Sequence, residues 1–226
     1  MVRTAARTNA HRARLETDDG FSLVEFVIAA GLSIVVLGAS TLLMQQFTRS
    51  YNAQADSVTA QEEAQFAIDW MTRYIRSAGA NPYTIRIGVC PGIGTQFTPI
   101  QIDPLGTGLA NNIRIHADVN PPNGVLGGLA GACREADEDV TIAHDVTSST
   151  ITKRDNNTEQ AAASMTDNVI SGLTFTYLDG NRVATANAAQ VAYVQMVVTA
   201  RTASTDEYTR QRTSYSLNAE VRLRSR

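Results

Sequence analysis

The chain has 226 residues, 43% of them hydrophobic and 18% charged, with a formal net charge of −3. That is enough for one full-sized folded domain plus an appendage. The near balance of 19 basic and 22 acidic side chains excludes the broad positive field of a dedicated nucleic-acid binder, so no nucleic-acid partner is expected.

Residues 1–20 carry Arg3, Arg7, Arg12 and Arg14, contain no apolar run, and end in Asp18-Asp19-Gly20. From Phe26 to Met44 nineteen residues follow without a charge, close to the ~20 that a helix needs to cross a bilayer. A basic leader before such a span places the N-terminus on the cytoplasmic side and everything after about Gln45 outside. A secretory signal has a shorter apolar core, about 7–15 residues, and ends at a small-residue cleavage site. Gly38-Ala39-Ser40 would have to supply that site, but the long run, the preceding acids and Glu25 at its edge argue against this reading.

An acid inside a membrane-embedded stretch costs about 2.5–3.5 kcal/mol at a helix centre, so Glu25 implies a partner or a position at the interface. Cleavage between Gly20 and Phe21 would create an α-amino group four residues before Glu25. At that helical spacing the two charges neutralise each other. The same carboxylate can instead meet the amine of a neighbouring subunit.

The junction Gly20-Phe21-Ser22-Leu23-Val24-Glu25 with an apolar helix behind it resembles the processing site of type IV prepilins and of type II secretion pseudopilins. The resemblance implies a membrane peptidase that cuts after Gly20 and methylates Phe21, with Glu25 guiding docking into a filament. The leader departs from the commonest pattern in having Asp18-Asp19 before the glycine. It further implies a helix over 21–47 that serves as membrane span and filament core, with Gly31, Ser33, Gly38, Ala39 and Ser40 allowing close approach of neighbours. The implied partners are other pilins or pseudopilins, the prepilin peptidase and an inner-membrane assembly platform. The implied location is the inner membrane, with the C-terminal domain in the periplasm, and then a filament.

The helix is expected to continue amphipathically over 48–79. Ala64, Ala67, Ile68, Met71, Ile75 and Ala78 follow spacings of three and four, the stripe of a helix packed on a core, and Phe66, Trp70 and Tyr74 widen it. Gly79 and Asn81-Pro82 supply the stop. From Ser22 to Ser77 this helix would be about 85 Å long at 1.5 Å per residue. The stretch QEEAQFAIDWMTRYIRSAG, residues 61–79, resembles the corresponding stretch of PilW-like minor pilins and of J-type minor pseudopilins.

Residues 80–226 are expected to form an exported, β-rich domain. Within it, 82–135 is a turn-dense insertion rich in Gly, Pro and Asn, with strand-like runs at Tyr83–Val89 and Asn112–Ala117. Beyond it come strand signals at Asp139–His144, Ser149–Lys153, Asn168–Leu178, Gln190–Arg201 and Arg210–Leu223, with a turn signal at Asp179-Gly180. Alternation is clearest around Val194, Met196, Val198 and Ala200. Short connections favour an antiparallel sheet, covered by the apolar helix face, so the expected class is α+β with a pilin-like layout. Cys90 and Cys133 belong to no metal-site spacing. In an exported domain they form a disulfide worth ~3–4 kcal/mol, the alternative being two free buried thiols.

His116 and His144, the histidines after the leader, sit in no nucleophile-elbow, metalloprotease or zinc-finger pattern. The glycines of residues 88–94 lack the Lys-Ser/Thr of a phosphate loop. Glu135, Asp137, Glu138 and Asp139 form a local acid cluster, either a solvated turn or an oxygen-ligand set for Ca²⁺, without the spacing of a dedicated loop. Arg201, Arg210, Arg212, Arg222, Arg224 and Arg226 would make a basic stripe or, on the blander reading, a solvated strand edge. The resemblance implies a non-enzymatic minor pilin involved in type IV pilus assembly, a structural or priming subunit near the filament tip, and neither cofactor nor metal is expected. The other readings are a minor pseudopilin and a signal-anchored envelope enzyme or binding protein.

Overall fold

The computed structural model describes residues 20–82, 97–120, 122–124, 126, 135–158, 161–205 and 210–224. Cys90, Cys133 and the expected strand at Tyr83–Val89 lie outside the described residues. The chain divides into two units, residues 1–50 and 51–226. One helix, α1 (Leu23–Ser77), contributes to both.

In the first unit every described residue is exposed except the half-buried Ala30. This part of α1 is long and apolar enough to cross a membrane, with a mean hydropathy of 2.3 over its most apolar eighteen residues and none of them buried. Its hydroxyls are satisfied by the helix's own carbonyls. Ser33 donates to Ala29, Ser40 to Val36 and Thr41 to Gly38, each at 2.8 Å, and Thr48 donates to Met44 at 2.9 Å. In hydrocarbon no water replaces a missing partner, so such back-bonding lets polar side chains sit in an apolar helix.

The second unit is an α+β body with two antiparallel sheets. The first has the order β1 (Ile100–Ile102), β2 (Asn112–His116), β3 (Asp139–Asp145), β4 (Thr150–Asp155) and β5 (Ala163–Ser164). The second has the order β6 (Ile170–Leu178), β7 (Tyr193–Arg201) and β8 (Ser214–Arg222). The expected single sheet is thus split. The reason is local: the outer side of β6 meets loops of the first sheet through isolated backbone bonds, Ile170 N–H to Ser149 O at 3.0 Å and Phe175 N–H to Ala110 O at 2.7 Å. A register shift between Ile170 and Gly172 further breaks the start of β6.

One core joins both sheets to the end of α1. Ala60, Ala64, Ala67, Met71, Ile75 and Ala78 are fully buried among residues such as Ile113, Ile142, Phe175, Met196 and Val198. Small alanines on this face bring the helix axis close to the sheets. Phe66 departs from expectation and is 46% exposed. Two positions from Ala64, it points about 200° around the helix from the buried stripe. The helix stops as its sequence implies: Gly79 takes a φ of 77° and its N–H bonds to His116 O at 2.9 Å. On β7 the four residues of the alternating face, Val194, Met196, Val198 and Ala200, are all fully buried. The Asp179-Gly180 turn is closed by the Asp179 carboxylate, which accepts from the N–H groups of Asn181 and Val183.

Candidate functional site

The first candidate site is the entry to α1. Gly20, Phe21 and Ser22 precede the helix; Gly20 is exposed and Phe21 is 72% exposed. Phe26 N–H bonds to Ser22 O at 3.0 Å, which makes Ser22 the residue from which the helix begins. The Gly20–Phe21 peptide therefore lies in accessible chain just outside the first turn. Glu25 falls in that first turn, where the exposed N–H groups of the helix favour a negative charge. Ser22-Leu23-Val24-Glu25 also has the spacing of a capping box, a signal in the same residues that defines the helix start.

The second candidate, the acidic group at 135–139, is separated by the fold. Asp139 has no exposed surface and is gripped bidentately by Arg114, with Nε at 2.6 Å from Oδ1. Asn156 Nδ2 donates to the same carboxylate at 2.9 Å and His116 Nε2 lies 3.5 Å from it. Burial alone would raise the Asp139 carboxyl, but Arg114 and His116 outweigh it and hold the group at about 2. Glu138 turns away to accept from the N–H groups of Val119 and Asn120, both at 3.1 Å. Asp137 pairs with Lys153 and accepts from the Tyr74 hydroxyl. Burial alone would lower Lys153, yet its bonds to Asp137 and Tyr74 raise it above the ordinary value. Glu135 accepts from Asn123 Nδ2 at 2.8 Å. Each carboxylate thus answers to its own donors, and no group of three metal-ligating side chains is present among the described residues.

The third candidate, the basic stripe, is also divided. Arg201 pairs in register with Ser214 and Tyr193 with Arg222, so Arg201 and Arg222 stand at opposite ends of the β7–β8 ladder, ~27 Å apart at about 3.4 Å per residue. Arg222 and Arg224 instead meet Arg73 and Arg76 of α1 around one cleft of about 820 Å³. Arg226 lies outside the described residues. No sequence signal marked this grouping, because its two halves are far apart along the chain.

No protein-family model, curated protein or solved structure matches the chain. What the fold defines is a long N-terminal apolar helix packed, in its second half, on antiparallel sheets, a layout compatible with a pilin-like fold.

Proposed function

We propose that this chain is a type IV pilin-like minor subunit: held in the membrane by the first part of α1, cut after Gly20, methylated on Phe21, and joined to a filament through Glu25 and the apolar helix. The observation that carries the reading is the Gly20–Phe21 bond standing exposed just before a helix of which none of the most apolar eighteen residues is buried within the chain. An unburied helix of this hydropathy needs a bilayer or other helices around it. In such a setting Glu25 is tolerable only with a cationic partner or at the interface, and the amine released at Phe21 is the cation nearest to it in sequence. The work of the protein is then association, with no reaction assigned to its side chains.

The test is expression of the full chain with and without a prepilin peptidase. The reading predicts a peptidase-dependent shortening by residues 1–20 that Gly20→Val abolishes. Glu25→Val should leave shortening intact while reducing co-purification with other filament subunits. A chain that keeps residues 1–20 in the presence of an active peptidase would instead be a signal-anchored envelope protein.

A further inference from the structure

A cleft lies between the end of α1 and the end of β8. It is lined by Arg73, Arg76 and Ser77 from the helix and by residues 220–224 from the strand and its extension. On the face of a strand only alternate residues meet a given cavity, whereas three consecutive residues of β8, 220–222, and the two that follow it line this one, so it runs along the end of the strand's edge. β8 is the terminal strand of its sheet, paired among the described residues with β7 alone.

The charge here is one-sided. Arg73, Arg76 and Arg224 are exposed, and no ion pair engages them among the described residues. The guanidinium of Arg222 stands 6.0 Å from the centre of the Tyr193 ring. Glu220, the acid in the lining, is engaged by Arg182 at 3.1 Å. Arg76 in the last helical turn complements the helix dipole, but that does not account for the arginines arriving from β8. Three arginines without an ion pair among the described residues, Arg73, Arg76 and Arg224, thus line one cleft, with Arg222 beside them, in a chain whose net charge is −3. A duplex phosphate backbone would call for a continuous basic track, yet Arg201 stands at the far end of the sheet.

The geometry points to this cleft as the docking site for an acidic, extended segment of another polypeptide. Its carboxylates meet Arg73, Arg76 and Arg224 in forked hydrogen bonds while its chain follows the edge of β8. The inference goes beyond the filament-subunit reading and stands whether or not the leader is removed.

The test titrates a fluorescein-labelled peptide of alternating glutamate and valine, as long as β8, into the full chain in uncharged detergent micelles. A lysine–valine peptide and a short DNA duplex serve as comparisons. The expected result is saturable binding of the acidic peptide that weakens as salt rises. Each single variant, R73Q, R76Q or R224Q, should weaken it by about threefold to tenfold, and the triple variant by more. These positions are exposed, and circular dichroism with thermal melting checks that each variant keeps the fold; should the triple variant unfold, the single variants decide. No binding of the acidic peptide, equal binding of the lysine peptide, tighter binding of the duplex, or affinity unchanged in the variants would overturn the proposal.

Discussion

At Asp139 a carboxylate stays charged although no solvent reaches it. The cause is the Arg114 fork with Asn156 and His116 around it, and the consequence is a dependence of stability on pH. Because the folded carboxyl is held at about 2, below its ordinary 3.8, it stabilises the fold fully above the ordinary value. That contribution is lost as pH falls from about 4 towards 2. Denaturant midpoints measured from pH 7 downwards should fall most steeply in that window, and Asp139→Asn should flatten the fall. At neutral pH Asp139→Ala should cost about 3 kcal/mol, because it strands a largely buried Arg114. Asp103 is different. Its partly exposed carboxylate accepts from Asn112 Nδ2 and from the N–H groups of Thr107 and Gly108. Asp103→Ala should therefore speed amide exchange at Thr107 and Gly108 with little change in the global melt. None of these roles was legible at residue scale: the acids at 135–139 look alike in sequence, and only the fold gives each its own donors. The pattern of Gly20, Phe21 and Glu25, by contrast, is local and can be read without any tertiary partner.

Among the elements, α1 and β7 were readable because each has one regular buried face. The helix period picked out Ala64, Ala67, Met71 and Ile75, and the strand period picked out Val194 to Ala200, all fully buried. The short strands β1 and β5, of three and two residues, have too few positions to show any period. The split into two sheets was hidden for another reason, since isolated backbone bonds leave no trace in side-chain alternation. The helix face can be tested by contrast. Met71→Ala should cost about 2–5 kcal/mol by opening a cavity. Ala64→Leu should cost about 1–3 kcal/mol by pushing the helix off the sheets. Phe66→Ala, half exposed on the other side, should stay within about 0.5 kcal/mol. Chemical denaturation of the three variants checks the order, and a large loss at Phe66 would contradict this assignment of faces.

For the molecule as a whole, the two units demand different surroundings. Residues 51–226 hold the common core, which starts at Ala60, whereas the first part of α1 buries none of its most apolar eighteen residues. Residues 51–226 expressed alone should remain in solution without detergent and melt cooperatively, while the full chain should partition with membranes; fractionation with circular dichroism checks both. The fate of the junction between leader and helix can be read from the intact mass of the N-terminal peptide of membrane-extracted protein made in cells with a prepilin peptidase. A processed filament subunit would give a chain that begins at Phe21 and carries one added methyl group. A chain that still carries residues 1–20, or one that begins beyond Ser40, would contradict that reading.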